Sequence, residues 1–337
     1  MDRIDAHCHV VADHEDSRAM LESRGLRLLN IALGTDPRGR WRTDPCTGTE
    51  VLERTSSFNP ARCGWCTAFD DPRFDDPGWA DSVIVKLKAD FARGAVGVKV
   101  WKNIGLKVRL PGKGNILPDD PVFEPVYSWL EREGKTLVIH AGEPAIAWLP
   151  LDPLSPHYLY FRDNPGQHLR GKPNVPSHAE IMRARDNIME RHPRLRVVGC
   201  HLGSLEHDLN EVAVRLDRYP NFAVDTAARV LDFSTKDAVL VREFFAKYRG
   251  RILWGTDVFT EKPHSAMSPE ERAKSVADLQ RRWMEEFSYY ESSGEIAFLG
   301  WMDKPRMVAG LGLPTEILAD FYSGNALRWY PGLFGKG

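Results

Sequence analysis

Residues 196–201, Arg-Val-Val-Gly-Cys-His, contain the pattern that decides the fold: a short apolar run that ends in a chemically active side chain. Nearly continuous apolar runs are typical of parallel strands, because both faces of such a strand are buried. The runs Leu-Val-Ile-His at 137–140 and Ile-Leu-Trp-Gly-Thr at 252–256 repeat the pattern. The repetition predicts a parallel sheet with polar side chains at its strand ends.

Eight such runs, each four to seven residues long, alternate with helical segments along the chain. Alternation of this kind implies parallel pairing with right-handed crossovers. No GxGxxG motif follows the first strand, so an α/β (β/α)8 TIM-like barrel is favoured over an open doubly wound sheet. The predicted strands are Arg3–His7, Arg27–Leu33, Cys63–Phe69, Val96–Trp101, Thr136–His140, Arg196–Cys200, Phe222–Asp225 and Arg251–Thr256. The predicted helices between them include Ala80–Arg93, Ser177–Arg191, Leu205–Arg218 and Asp237–Tyr248.

Two stretches interrupt this alternation. Residues 141–176 are rich in proline and aromatic residues and are too long for a plain connection, so we expect a lid loop over the barrel mouth after strand five. Residues 260–337 begin with a helix start at Ser268-Pro269-Glu270-Glu271 and predict a C-terminal helical extension. No linker separates the stretches from the barrel, so residues 1–337 are expected to form one domain.

Composition excludes several classes of protein. The 45 Lys and Arg against 47 Asp and Glu give a formal net charge of −2, which disfavours binding to nucleic acid or to an anionic membrane surface. No apolar run approaches the roughly 18 residues that a membrane span needs. Five irregularly spaced cysteines and an N-terminus without a signal peptide suit a reducing compartment. We expect a cytoplasmic protein that acts on a small molecule, and a homo-oligomer is compatible with the sequence.

Five residues with suitable chemistry lie at the ends of four predicted strands. In Asp5-Ala6-His7-Cys8-His9, residues two apart share one face of the strand, so both imidazoles can point into the barrel. His140, His201 and Asp257 end strands five, six and eight. Each residue taken alone has an ordinary structural explanation. A histidine at a strand end can simply be hydrogen-bonded, and an aspartate can simply cap a turn. Taken together at one rim, where barrel enzymes place their catalytic groups, they indicate a metal-dependent active site.

Five motifs resemble the amidohydrolase superfamily, specifically the amidohydrolase-related branch that includes aminocarboxymuconate semialdehyde decarboxylase. They are DAHCH at 5–9, VIHAGE at 138–143, VGCHLGS at 198–204, NFAVDTAAR at 221–229 and ILWGTD at 252–257. The resemblance extends from residue 1 to about Asn325. It implies that His7, His9, His140 and Asp257 bind the metal and that His201 is a nearby acid, base or polarising group. Hydrolases, decarboxylases and hydratases all occur in that branch, so the resemblance leaves the reaction open.

The chemistry of these side chains agrees with the implied roles. Neutral imidazoles with one carboxylate suit Zn²⁺ or Mn²⁺ and leave a coordination position open for water, whose pKa a metal can lower from about 16 to about 7. Asp257 can accept a proton from that water and pass it to the leaving group. We expect one zinc ion per chain. Lys99, on the fourth strand, resembles the carbamylated lysine of two-metal members, but an ordinary amine that pairs with a carboxylate or binds substrate is favoured.

The substrate is constrained less than the metal site. Arg229 follows strand seven on the same rim, and its planar fork matches a carboxylate; the alternative is that Arg229 pairs with an acidic neighbour and braces the rim. The sequence predicts a hydrolase in which metal-activated water attacks an amide, lactone or ester of a small, carboxylate-bearing substrate. The alternative is a carbon–carbon lyase or hydratase that acts on an unsaturated or aromatic acid.

Overall fold

The computed structural model describes residues 2–33, 47–69, 76–110, 112 and 114–335. Within these residues, eight parallel strands form one sheet, and each strand pairs with the next one along the chain. The strands are β1 (Arg3–Cys8), β2 (Leu26–Ile31), β3 (Cys63–Ala68), β4 (Ala95–Val100), β5 (Thr136–Ile139), β6 (Arg196–Gly199), β7 (Phe222–Asp225) and β8 (Ile252–Leu253). The predicted strand positions are therefore confirmed to within a few residues.

The first and last strands lie side by side and nearly close the sheet into a barrel. The amide of Ala6 donates to the carbonyl of Trp254 at 2.9 Å, and the amide of His9 donates to the carbonyl of Val258 at 2.8 Å. The paired part of β8 is shorter than predicted; beyond it the chain continues along the end of β1 and turns at Asp257, whose φ is +63°. The predicted (β/α)8 barrel is confirmed.

Helices surround this barrel. The helix at 178–191 begins with the capping box that the sequence predicts: the Ser177 side chain accepts from the Glu180 amide, and the Glu180 carboxylate accepts from the Ser177 amide. The α-helices of five or more residues between the strands are Glu15–Ser23, Thr49–Phe58, Trp79–Ala92, Glu124–Arg132, Tyr158–Asp163, His178–Arg191, Leu209–Arg218, Val230–Ser234 and Ala238–Lys247. None of the helices in the described part of the chain is long and apolar enough to cross a membrane.

The segment after β8 contains strands as well as the predicted helices. Its long helix, Pro269–Glu291, begins with a second capping box, between Ser268 and Glu271. An antiparallel hairpin follows, formed by Glu295–Phe298 and Arg306–Ala309. The chain ends in the helix Thr315–Ala319, a π-helical turn at Asp320–Gly324 and the helix Asn325–Trp329.

Residues 325–334 close the amino-terminal end of the barrel, and we call them the C-terminal plug. Tyr330 and Leu333 pack inside the barrel with Ile4 and Val96. A Cβ on Gly97 would lie 3.3 Å from Cε1 of Tyr330 and 2.9 Å from Sγ of Cys66, so glycine leaves the space that the plug fills. The metal-binding candidates are therefore confined to the opposite end of the barrel.

Candidate metal centre and active site

The end of β1 presents two histidines with defined tautomers. Nδ1 of His9 lies 2.8 Å from the carbonyl oxygen of Ile31, which can only accept a hydrogen bond, so a neutral His9 carries its proton on Nδ1. Nδ1 of His7 lies 2.8 Å from Oδ2 of Asp225, a carboxylate–histidine contact that also places the proton on Nδ1. In both rings Nε2 keeps its lone pair, which is what a metal ligand needs.

Asp257 lies between these two lone pairs. Its Oδ1 is 3.3 Å from Nε2 of His9 and 3.6 Å from Nε2 of His7. The left-handed backbone at Asp257, where the chain leaves β8, turns the carboxylate toward β1. The sequence prediction that these three residues share one rim of the barrel agrees with their positions.

The loop after β6 adds a third histidine, which the same carboxylate helps to position. The His201 amide donates to Oδ1 of Asp225 at 2.7 Å, and Nδ1 of His201 lies 2.8 Å from the carbonyl oxygen of Ala227. Because that carbonyl only accepts, a neutral His201 also presents a free Nε2. The φ of His201 is +57°, a strained conformation that often accompanies a functional side chain.

His140, after β5, supplies a buried nitrogen with no partner. Its Nε2 makes no hydrogen bond to any described residue, although the atom is removed from solvent. A buried polar atom without a partner costs about 1–3 kcal/mol, so such atoms point to a missing ligand or ion. The ring centres of His140 and His201 are 4.4 Å apart, which places this nitrogen beside the other candidates.

These residues fit a divalent metal ion. One ligand atom each from His7, His201 and Asp257 lies within 4.8 Å of the other two. This compact group contains His201, which was predicted to lie beside the metal. His9 lies next to Asp257, and His140 lies next to His201. Which of the five side chains hold the ion stays a prediction.

Electrostatics favour the protonation states that metal binding requires. Burial lowers the pKa of His7 and holds the pKa of His140 and His201 well below the ordinary value, so these imidazoles are neutral. Burial raises the pKa of Asp257, but the close approach of His9 and the neighbouring His201 and His7 outweighs burial and lowers the pKa. Burial also raises the pKa of Asp225, but the contact with His7 outweighs burial and lowers the pKa to about 2. Neutral imidazoles and ionised carboxylates are the ligand forms of these side chains.

A cavity of about 720 Å³ opens in front of this group. The segment 141–176, predicted as a lid, contributes Glu143, His157 and Tyr160 to its wall. Trp101 and Trp301 add aromatic surface from the loop after β4 and from the hairpin. The cavity is therefore mostly apolar with a few polar groups, as small-molecule sites usually are.

Lys99 and Lys102 occupy different environments. Lys99 lies within the barrel, where its Nζ is 2.9 Å from Sγ of Cys200, and it is not part of the cavity wall. Lys102 lines the cavity, with its Nζ 2.5 Å from Oε1 of Glu143 and 3.4 Å from the hydroxyl of Tyr160. Although burial lowers the pKa of Lys102, Glu143 and Tyr160 raise it above the ordinary value. Lys102 therefore carries a positive charge into the cavity wall.

Arg229 lines the cavity but already has acidic neighbours. Its Nε is 3.8 Å from Oε2 of Glu206 and 3.8 Å from Oδ2 of Asp232, and its Nη1 donates to the carbonyl of Ala228 at 2.8 Å. Both contacts to carboxylates are too long for hydrogen bonds. The arrangement is compatible with the bracing role, and no hydrogen bond joins Nη2 of Arg229 to a described residue.

The sequence of this chain matches the family described as amidohydrolase over residues 4–332. The chain belongs to the amidohydrolase superfamily. Members of this superfamily are metal-dependent enzymes, and the donor group at the barrel rim agrees with that property. No curated protein matches the sequence of this amidohydrolase significantly.

Solved structures share the fold of this amidohydrolase. A 4-oxalomesaconate hydratase from Rhodopseudomonas palustris is 14% identical, with a TM-score of 0.54 over 95% of this chain and 81% of the other. A putative amidohydrolase from Staphylococcus aureus is 12% identical, with a TM-score of 0.50 over 98% of this chain and 99% of the other. A 5-carboxyvanillate decarboxylase from Sphingomonas paucimobilis is 17% identical, with a TM-score of 0.47 over 94% and 82% of the two chains. At these identities, the likeness to the hydratase and to the Staphylococcus aureus protein establishes the barrel alone.

Sequence reasoning missed three residues that shape the site of this amidohydrolase. Asp225 ends β7, and its strand-end position is the same signal that identified the histidines. Lys102 and Glu143 lie 41 positions apart, and nothing in the sequence indicates that they pair. The parallel pairing of β4 with β5 brings the loops that follow these two strands together.

Proposed function

We propose that this amidohydrolase hydrolyses a carbonyl-type bond, an amide, lactone or ester, in a small substrate. The observation that carries the proposal is the donor group of His7, His201 and Asp257, with the unpartnered Nε2 of His140 beside it, at the inner end of a cavity. A structural metal site is usually closed and rich in cysteine, whereas this group faces open space. We place the enzyme in the cytoplasm, which is supported by the buried free thiols of Cys8, Cys63, Cys66 and Cys200.

His7, His9, His140 and Asp257 are the proposed ligands, and zinc is the proposed metal at one ion per chain. A bound divalent ion would activate a water molecule and polarise the carbonyl oxygen of the substrate. The positions of Nε2 on His7 and His9 support this assignment, since their Nδ1 atoms are occupied by Asp225 and Ile31. Manganese or a two-metal centre is the alternative, with Lys99 as the lysine that a second ion would require.

Asp257 and His201 are the proposed catalytic residues. The carboxylate of Asp257 is ionised, so it can take a proton from the attacking water. Nε2 of His201 is free because Nδ1 is bound to the Ala227 carbonyl, and it can contact the substrate oxygen. Asp225 orients His7 and the His201 main chain and takes no part in proton transfer. Arg229 is proposed to hold a carboxylate of the substrate, and its place in the cavity wall supports that role.

A second candidate function is a carbon–carbon lyase that acts on an aromatic acid. The observation that favours it is the aromatic surface of the cavity, where Trp101, Tyr160 and Trp301 offer faces for a planar substrate. A lyase of this kind would use the same metal ligands, so the product of the reaction distinguishes the two functions.

Metal analysis together with a substrate panel tests the proposed function. Protein made in metal-replete medium should hold about one divalent transition metal ion per chain. A panel of lactones, esters, N-acyl amino acids and aromatic acids, followed by product identification, should show hydrolysis that stops in chelator and returns with zinc. Release of carbon dioxide from the aromatic acids would favour the lyase. Full activity in chelator without bound metal would reject both functions.

A further inference from the structure

A histidine on the lid segment faces the same cavity as the metal-binding candidates. His157 lines the cavity together with His201 and Asp257, and only 6% of its surface is exposed. Its Nε2 lies 2.9 Å from Oδ1 of Asp232, which follows β7. The ring is nearly parallel to that of Trp301, with 22° between the planes and 6.5 Å between the centres. The imidazole is thus held on one edge by a carboxylate and on one face by an indole.

The two ring nitrogens of His157 have different surroundings. Asp232 is ionised and accepts, so Nε2 carries a proton. No described residue hydrogen-bonds to Nδ1, and Nδ1 is not among the fully buried unpartnered atoms of the described chain. Since His157 lines the cavity, Nδ1 is the nitrogen that a substrate can reach.

His157 is the hydrogen-bonding partner of the Asp232 carboxylate. Burial raises the pKa of Asp232, but His157 and Arg229 outweigh it and lower the pKa, so the carboxylate is ionised. Nε of Arg229 is 3.8 Å from Oδ2 of Asp232 and 3.8 Å from Oε2 of Glu206, so its charge acts on both carboxylates. Lys236 donates to the main-chain carbonyl of Asp232 at 3.2 Å rather than to its carboxylate. Oδ2 of Asp232 makes no hydrogen bond to a described residue, so within the described chain it is His157 that holds this carboxylate by a side-chain hydrogen bond.

We propose that His157 is the proton donor to the leaving group and that Asp232 is its positioning residue. This inference rests on the proposed hydrolase function. As the bond between the carbonyl carbon and the leaving oxygen or nitrogen breaks, the leaving atom keeps the electron pair and takes the proton from Nδ1 of His157. The neutral imidazole then regains a proton from solvent. Asp257 accepts the proton of the attacking water, so the acceptor and the donor are separate groups, carried by the barrel and by the lid.

Two esters with the same acyl group and different leaving groups test this role. 4-Nitrophenolate leaves without a proton, whereas the alkoxide of benzyl alcohol needs one. With zinc-loaded protein, His157→Gln should slow hydrolysis of benzyl acetate by about 10²-fold or more, the usual contribution of a general acid, and hydrolysis of 4-nitrophenyl acetate far less. Asp232→Asn should reproduce the difference in weaker form. His168→Gln is the matched control, because His168 lies on the same lid with its Nε2 bonded to the Leu149 carbonyl, and it should change neither rate.

Equal slowing of both esters by His157→Gln would show a purely structural residue and would overturn the inference while the hydrolase function stands. If wild-type protein hydrolyses neither ester nor any member of the substrate panel, the proposed function fails and the donor role fails with it. A second measurement needs no substrate. In ¹⁵N-histidine NMR of zinc-loaded protein, the resonances that disappear in His157→Gln should show a proton on Nε2, the nitrogen that is bonded to Asp232. A ring protonated on Nδ1 alone would contradict the positioning by Asp232 and overturn the inference.

Discussion

Asp225 uses one carboxylate to position two candidate site residues. One oxygen accepts from Nδ1 of His7 and the other from the His201 amide, and the aspartate itself is 1% exposed. An aspartate in this place fixes the His7 ring in the tautomer that leaves Nε2 free. The residue therefore acts on the metal site through its neighbours.

Asp225→Asn should weaken metal binding without abolishing it. The amide keeps the shape of the side chain but loses the charge that stabilises the His7 proton on Nδ1, and such changes typically reduce metal affinity about 10–100-fold. Competition with a chelator of known affinity measures the change. The fold serves as the control, since the far-UV circular dichroism should stay the same. An unchanged affinity would mean that His7 is not a ligand.

His7→Ala and His201→Ala should separate a ligand from a neighbouring catalytic group. His7→Ala should empty the site, whereas His201→Ala should keep the metal, because His7, His9, His140 and Asp257 remain. His201→Ala should instead reduce turnover by about 10²-fold or more. Metal content by elemental analysis and activity on the panel substrate are measured on the same preparations. Loss of metal from His201→Ala would move His201 into the ligand set, as its place in the compact donor group also allows.

At the residue scale, the sequence predicted which side chains gather at the rim, because a parallel strand places its last residue there whatever the details of packing. It could not predict the partners of those side chains. The interaction of Lys102 with Glu143, and of His157 with Asp232, depends on how loops from different strands fold over the mouth. Loop conformation is set by many weak contacts that leave no periodic signal.

At the scale of elements, one histidine joins two helices. His264 lies between Ser17, on the helix Glu15–Ser23, and Ser275, on the helix Pro269–Glu291; its Nδ1 is 2.5 Å from the Ser17 hydroxyl and its Nε2 is 2.9 Å from the Ser275 hydroxyl. Both hydroxyls can donate or accept, so they suit a neutral ring with one protonated nitrogen. Burial lowers the pKa of His264 from 6.5 to about 4.

This contact should make stability depend on pH in a defined range. The folded protein keeps His264 neutral down to about pH 4, whereas the unfolded chain binds a proton below about 6.5. The contribution of His264 to the free energy of unfolding is therefore complete above pH 6.5. It falls by at most about 3 kcal/mol as the pH decreases from 6.5 to about 4. Urea unfolding at several pH values measures it. His264→Gln is the control and should lose less stability over that range; identical pH profiles for the two proteins would contradict the prediction.

Helix boundaries were predicted well where a capping motif marks them. The capping boxes at Ser177 and Ser268 are local, so their hydrogen bonds can be inferred from spacing alone. The hairpin of Glu295–Phe298 and Arg306–Ala309 was not predicted, because its strands are short and mostly exposed and lack a clear alternation of apolar residues.

At the scale of the whole molecule, the two ends of the barrel are occupied by different features. One end holds the cavity with the metal-binding candidates, and the other holds the C-terminal plug. Asn325 anchors the plug by donating to the carbonyls of Arg249 and Ile252, both at 2.7 Å. Tyr330 is fully buried inside the barrel, and its hydroxyl has no hydrogen-bond partner among the described residues.

Tyr330→Ala and Tyr330→Phe should change the free energy of unfolding in different ways. Alanine leaves a large cavity at the base of the barrel and should reduce the free energy of unfolding by about 3–5 kcal/mol. Phenylalanine keeps the ring and removes an unpaired buried hydroxyl, so it should be neutral or stabilising. Urea unfolding followed by intrinsic fluorescence measures both. A large loss of stability in Tyr330→Phe would mean that the hydroxyl has a bonding partner, such as a buried water.

The position of the plug in the chain has a consequence for biosynthesis. A ribosome makes the chain from its amino terminus, so all eight strands leave the exit tunnel before Tyr330 and Leu333 do. Until then, Ile4 and Val96 lack the apolar partners that cover them in the finished protein. A nascent barrel with one open apolar end is a target for chaperones and for aggregation. Emergence of the C-terminal plug from the ribosome thus ends that hazard, and a pause before the plug emerges would prolong it.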